Sequence, residues 1–456
     1  MNMKYKAYLC SFLLTFPILG KASVEADSLR QVQISRLQEQ VNWVNPEAIR
    51  AYLDDTKLSL GDKATGLYQK LEELETLLPR VNRHLSEDTT RQTIVEAEKL
   101  LALKREIILA NPLLDIDKIL IARYRLGNKA RKAMGPSLGT SIANYNSLFS
   151  SRRKGYNAEI SQLSNLRGDI QSKTIYKPEA DVPISDIQLH WDADRLLFSS
   201  LNENRQWQIY EINTDGTGLH QKVVADEPDL EFCDANYLPD GKVVATCNIG
   251  YNGVPCVHGD DVVANLVSYD PETKNIHRLT FDQDGNWAPI VIPNGRLMYT
   301  RWEYTDLTHY FSRIVMHMNP DGTENKALYG SGSYFPNSTF DMKPLSKYNS
   351  RFVGIISGHH GTARSGRLII FDPAKSRKEE KGMVQELPFS KRPIVPIIKD
   401  ELVEGVWPQF MKPYPLNEKY FLVACKPGPD ALWGIYLVDI FDNLTLITEQ
   451  EGEGLT

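Results

Sequence analysis

The sequence predicts a mainly β protein, a six-bladed β-propeller preceded by a small α-helical N-terminal region, and three observations carry that expectation. Tight turns recur as "NTDG" (213–216), "LPDG" (238–241), "IPNG" (292–295) and "NPDG" (319–322); Gly and Asn tolerate the positive φ that such hairpins need. The turns belong to a larger unit of about fifty residues, an interval at which a propeller adds one blade. Apolar residues at helical spacing stop near residue 110, so the helical and β patterns occupy different parts of the chain.

With 456 residues, 42% hydrophobic and 24% charged, the chain has room for two or three domains with real cores. A net charge of −6, with no Lys/Arg run beyond short pieces such as "SRRK" (151–154), argues against nucleic acid as a partner. Residues 1–26 read as a signal peptide: lysines at 4 and 6, an apolar stretch from Ala7 to Leu19, and small residues Ala22 and Ala26 at candidate cleavage positions. Cys10 sits too early in that stretch for a lipid anchor. No later stretch approaches the roughly 18 apolar residues of a transmembrane segment. The expected location is periplasmic or secreted, where disulfides are permitted.

From 27 to 111 the helical spacing runs through Ile34, Leu37, Val41 and Val44, then Leu67, Leu71, Leu74 and Leu78, then Ile94, Ala97, Leu101 and Ile108. Three amphipathic helices are predicted, ended by Asn45-Pro46, Pro79 and Asn111-Pro112, with capping side chains for the third in "SEDT" (86–89). From 112 to 450 the propeller is read strand by strand. "RLLFSS", "KVVATC", "RLMYTR", "RFVGII" and "KYFLVA" are second strands of blades; "QIYEIN", "NLVSYD", "RIVMHMN", "RLIIFD" and "GIYLVD" are third strands. A divergent first blade comes from "NPLLDIDKILIARY" (111–124) with "AEISQLSNL" as partner, and residues 451–456 read as a tail continuing in a longer protein. Circular closure would hide the sheet edges that an open row of strands exposes.

Blade topology then sorts the polar loops. In a four-stranded blade, the loop after the second strand and the link to the next blade leave on one face, while the Asp-Gly turns leave on the other. "CVHGDD" (256–261), "EYTDLTHY" (303–310), "GHHGTARSG" (358–366), "KPGPDALW" (426–433) and the link "DEPDLEFCDAN" (226–236) therefore share a loop-rich face. A protein or small-molecule ligand is expected there, with Glu303, Asp306, His309, His359, His360 and Arg364 as binding candidates. Each has a plainer reading. His359 and His360 lie between Gly358 and Gly361 and could satisfy backbone carbonyls; Glu303 and Asp306 could staple their loop. Trp287, Trp302, Trp407 and Trp433 suit the wedge between blades.

The stretch "CNIGYNGVPCVHGDD" (247–261) stays open three ways. Cys256, His258 and Asp260, with Cys247 or Cys233, offer donors for a divalent metal, although without the paired C-x-x-C spacing of a zinc site. A Cys247–Cys256 disulfide closing an eight-residue loop is the second reading, and free buried thiols are the third.

The strings "RWEYTDLTHYFSRIVMHMNPDGT", "YGSGSYFPNS", "SGHHG", "LIIFDPAKSR", "PYPLNEKYFLVACKP" and "WGIYLVDIFDN" resemble the bacterial family related to the alpha subunit of hydrazine synthase, through its middle propeller domain. The resemblance spans roughly 95–450 and implies TolB-like or WD40-like propeller repeats. That family's chemistry needs c-type haem, attached through C-x-x-C-H. The five cysteines, at 10, 233, 247, 256 and 425, include no such motif, so this chain is expected to carry no c-type haem of its own. G-x-S-x-G, H-E-x-x-H, Walker and strand-linked G-x-G-x-x-G signatures are missing too, and catalytic residues stay unassigned. The expectation is an extracytoplasmic binding or scaffold protein. The alternative is part of a metal- or haem-dependent redox enzyme whose catalytic region lies beyond residue 456.

Overall fold

Four helices precede the sheets in the computed structural model, which describes residues 19–87, 90–304, 312–345 and 350–456. They are α1 (Leu19–Val41), α2 (Pro46–Leu60), α3 (Lys63–Glu87) and α4 (Arg91–Leu109). The boundary that spacing alone missed is Gly61, which caps α2 at φ 56. Asn45 starts α2 as expected, its side chain accepting from the backbone N–H groups of Glu47 and Ala48 with Pro46 in the first turn. Pro79 does not end a helix; it lies inside α3. A proline there costs about 3 kcal/mol, and burial of Leu71, Leu74 and Leu77 before it and Val81 and Leu85 after it offsets that cost. The cap of α4 is Thr90, just past the "SEDT" stretch.

The helices share one core with the sheets: Leu74, Leu100 and Ile107 pack with Ile121, Leu163, Leu422 and Leu437. Two cations of α4 fasten this contact. Buried Lys104 donates to the carbonyls of Leu444 (2.7 Å) and Trp43 (2.5 Å), and burial pushes its ammonium down to about 7. Arg105 donates to the carbonyls of Leu446, Ile447 and Leu166 at 2.6–2.8 Å.

The rest is mainly β, in antiparallel groups of four strands that follow chain order. One group is Ile184–Leu189, Arg195–Leu201, Trp207–Asn213 and His220–Gln221; the next is Phe232–Tyr237, Val243–Cys247, Asn265–Tyr269 and Ile276–Arg278. Asn286–Val291, Leu297–Trp302, Arg313–Met318 and Lys326–Tyr329 repeat the plan, as do Ser338–Pro344, Phe352–Ser357, Arg367–Phe371 and Met383–Leu387. A parallel bridge between Arg313 and Ser338 joins these two groups into one larger sheet. Gln409–Pro415, Tyr420–Lys426, Gly434–Asp439 and Leu444–Thr448 form the last. In every one of these groups the segments read from sequence as second and third strands hold those places.

The remaining sheet is assembled from both ends of the β region. Lys118–Arg125, Ala158–Ser164 and Gln171–Tyr176 pair in order, and Glu453–Leu455 adds beside the first of them. Its register sets Arg123 opposite Leu455, Tyr124 opposite Gly454 and Arg125 opposite Glu453. Residues 451–456 are therefore not a tail. Leu455 is 1% exposed, and Arg123 and Arg125 both pair with the Glu453 carboxylate.

Candidate functional site

A defect repeated in the first strands builds the site. Ile184–Leu189, Phe232–Tyr237, Asn286–Val291, Ser338–Pro344 and Gln409–Pro415 each lose register with their neighbour, between Ser185 and Gln188, Cys233 and Asn236, Trp287 and Ile290, Phe340 and Lys343, and Met411 and Tyr414. Within each break one non-glycine residue takes a left-handed backbone: Asp186 (φ 53), Asp234 (φ 53), Ala288 (φ 52), Asp341 (φ 49) and Lys412 (φ 50). Such a residue costs about 1–3 kcal/mol, and a bulge re-aims a side chain. Here all five line one central cavity of about 930 Å³, where the first strands meet.

Four of the five are charged, and they are tied together. Lys412 places its Nζ 2.9 Å from Asp186 Oδ1 and 2.9 Å from Asp341 Oδ1, and its backbone N–H donates to Asp341 Oδ2 at 3.0 Å. Burial alone would lower the affinity of this ammonium for its proton, but the two carboxylates raise it above the ordinary lysine value. Asp186 and Asp234 hydrogen-bond to each other. Burial and the neighbouring Asp186 charge hold Asp234 well above the usual carboxyl range; against the same burial, Lys412 and the Asp234 hydrogen bond keep Asp186 below it. The two carboxyls titrate as a pair, with the higher proton affinity on the Asp234 side. Beside them Lys343 donates to the Gln188 side-chain carbonyl at 3.2 Å, and burial, followed by the nearby Lys412 charge, pushes it down to about 8. Trp191 and Tyr414, also lining the cavity, are 59% and 56% exposed.

On the loop-rich side, residues 126–157 fold across the ends of several sheets. Gly135 comes so close that a Cβ there would lie 2.2 Å from the Ala363 carbonyl oxygen, which only glycine permits. Asn144, 1% exposed, donates to Ser357 Oγ (3.0 Å) and the carbonyls of Gly358 (2.9 Å) and Thr362 (3.1 Å), and accepts from the Arg364 backbone N–H at 2.7 Å. Its carbonyl accepts from Arg313 Nε at 3.2 Å. The neighbouring Asn146 side chain bonds Asp261, whose carboxyl burial pushes up to about 6.

The residues singled out from sequence fare differently. His359 is 4% exposed, with its ring 5.7 Å from Tyr145 and 6.1 Å from Trp302; burial and the Arg313 charge push it down to about 2, so it is a neutral imidazole at ordinary pH. His360 is exposed and sets Nδ1 2.8 and 2.9 Å from the two oxygens of Asp400, a residue that no sequence pattern singles out. Donor atoms of His359, His360 and Asp400 lie within 4.8 Å of one another. Arg364 is partly buried, its guanidinium stacked over Phe340 (4.3 Å) and Trp287 (5.0 Å) and bonded to the Asn146 carbonyl at 2.5 Å. Glu303 pairs with Arg301. Asp306 and His309 lie outside the described residues.

Among the described residues the cysteine set does not assemble. Cys247 is a free, buried thiol, so the expected Cys247–Cys256 disulfide is not formed. Cys247 pairs in register with Phe232 and Cys233 with Thr246, and this one-residue offset sends the two thiols to opposite faces of their sheet, into separate cores. His258 and Asp260 are exposed on the loop, and the Cys256 side chain is outside the description. Among the described residues, these groups do not form a metal-ligating cluster; His359, His360 and Asp400 do, as do His190, Asp192 and Asp194.

No family model matches the chain, and no curated protein does. Among solved structures it is similar to a hydrazine synthase from Kuenenia stuttgartiensis, at 14% identity and TM-score 0.53, over 75% of this chain and 46% of that one. It therefore spans less than half of that protein's length, and the likeness is one of fold. A TolB from Acinetobacter baumannii is similar at 13% identity and TM-score 0.40, over 81% of this chain and 73% of that one. Among the described residues no helix is long and apolar enough to cross a membrane.

Proposed function

We propose that the protein is an extracytoplasmic six-bladed β-propeller, closed by its Glu453–Leu455 strand, that serves as a binding or scaffold module and takes a small ligand into its central cavity. The observation that carries this reading is the repeated bulge. Five blades each spend backbone strain at the equivalent position to present Asp186, Asp234, Ala288, Asp341 and Lys412 to one space, and strain that recurs around a cavity marks a site better than loop polarity does. The groups on the loop-rich side are mostly consumed in holding residues 126–157 in place. The resemblance to the hydrazine synthase alpha subunit supports a propeller of that type without c-type haem of its own. A thermal-shift screen of amino acids, sugars and organic acids on the purified protein tests the reading. Ligands that stabilise the wild type should fail to stabilise Ile290→Trp, which fills the cavity from its wall; hits unaffected by that change would place binding elsewhere.

A second reading, a divalent-metal-dependent enzyme, is favoured by one observation, the three donors of His359, His360 and Asp400. Asp400 on His360 Nδ1 would leave Nε2 free to ligate, in the manner of a carboxylate that orients a metal-binding imidazole. Stoichiometric Zn²⁺ binding that is lost in Asp400→Ala would favour this reading over the first.

A further inference from the structure

Resting on the cavity as the binding site, we infer that its ligand is a small molecule bearing a carboxylate, and that the Lys343 ammonium holds that carboxylate.

Lys343 faces the cavity with hydrogen-bond donors that the protein leaves unfilled. The charged groups that face Lys343 are Asp341 on its own strand, Asp186 on Ile184–Leu189, Asp234 on Phe232–Tyr237 and Lys412 on Gln409–Pro415. Every carboxylate among them is already committed. Asp186 and Asp341 both hold Lys412 at 2.9 Å, and Asp234 hydrogen-bonds to Asp186. Lys343 forms no ion pair among the described residues; its hydrogen bond goes to a neutral amide oxygen of Gln188 at 3.2 Å. An ammonium has three N–H donors, and this one spends a single donor on Gln188. It lines the cavity, so a ligand can reach it.

The rest of the wall fits the same ligand. Ile187, Pro289, Ile290, Met342 and Pro413 give the body of a small molecule apolar contact, while Trp191 and Tyr414 offer aromatic surface. A metal cation would meet two ammonium groups, Lys343 and Lys412. A carboxylate can accept from the N–H groups of Lys343 that no protein oxygen takes up.

Proton linkage provides a readout that a structural lysine would not give. Because burial pushes Lys343 down to about 8, a bound carboxylate must raise its proton affinity, so binding near pH 8 takes up protons and affinity falls as pH rises past 8. Isothermal titration calorimetry of the purified full chain would use two matched pairs of probes: glucuronate against glucose, and N-acetylalanine against its amide. The pairs separate an acidic sugar from a peptide-like acid. At least one acid is expected to bind about tenfold or more tightly than its neutral twin. Lys343→Met should erase that difference and the proton uptake at pH 8, while Lys343→Arg should retain the preference for the acid. Equal binding of acid and neutral twin, unchanged acid binding by Lys343→Met, or no binding of either acid would overturn the inference. A neutral probe whose binding is lost in Ile290→Trp would leave the cavity reading standing without the carboxylate; acid binding untouched by Ile290→Trp would sink the cavity reading itself.

Discussion

Asn144 on the loop-rich side and Lys343 in the cavity use their hydrogen-bonding groups in opposite ways. On the loop-rich side, residues 126–157 bring Asn144 into full hydrogen bonding with Ser357, Gly358, Thr362 and Arg364. In the cavity, Lys343 keeps two of its three N–H groups without a partner among the described contacts. The difference teaches that a crowd of His, Asp and Arg is not itself a sign of function. Polar groups that satisfy one another hold a fold together, whereas a group left short of partners inside a cavity is set for something that arrives later.

The harshest way to break the comparison is to remove the strand that joins the two ends of the β region. Deleting 453–456 removes the pairing with Arg123–Arg125 and uncovers the edge of Lys118–Arg125. Because an unpaired edge templates aggregation, the truncated protein is expected to lose cooperative unfolding and to elute from a sizing column as aggregate. A monomeric, cooperatively melting product would refute closure by this strand.

A milder change separates the two regions. Asn144→Ala strips the buried carbonyls of Gly358 and Thr362 and the Arg364 N–H of their shared partner, and should cost about 2–4 kcal/mol in urea unfolding. Ligand binding in the cavity should survive it. If Asn144→Ala instead left stability intact and abolished binding, the two regions would have exchanged roles.

What the sequence disclosed follows the same division. Second and third strands such as "RLLFSS" and "QIYEIN" were legible because short β-rich apolar runs bounded by Asp-Gly and Asn-Gly turns are written in neighbouring residues. Their companions, the first strands, hid their bulges: "SDIQ", "CDAN" and "FDMK" set an Asp, which tolerates a left-handed backbone, in second place, but "WAPI" and "MKPY" do not, and the left-handed position emerges only when each strand pairs with the next. Residues 126–157 look like an ordinary Gly- and Ser-rich loop, and nothing local says that Asn144 will be 1% exposed. The nearness of Cys233 and Cys247 in sequence misled for the complementary reason, since strand register and not chain distance decides which face a thiol occupies.

The smallest expected effect is also the sharpest test of the charge arrangement at the cavity end. Asp186→Asn removes one of the two carboxylates holding Lys412 and should destabilise the protein by roughly 2–3 kcal/mol at pH 7, as a buried cation loses half of its match. Asp234→Asn should cost under about 1 kcal/mol at pH 7, because burial and the Asp186 charge favour the neutral form of Asp234, which an amide of the same shape replaces. The pH dependence gives the sign. Asp234 is held above its unfolded value near 4, so the folded state binds the extra proton and wild-type stability from this group is present below pH 4 and lost as pH rises. An amide cannot ionise in the unfolded chain, so Asp234→Asn should gain on the wild type between pH 4 and pH 7. Urea midpoints of the two proteins across that range decide the matter: a mutant that instead loses ground with rising pH would mean that Asp234 is ionised in the fold.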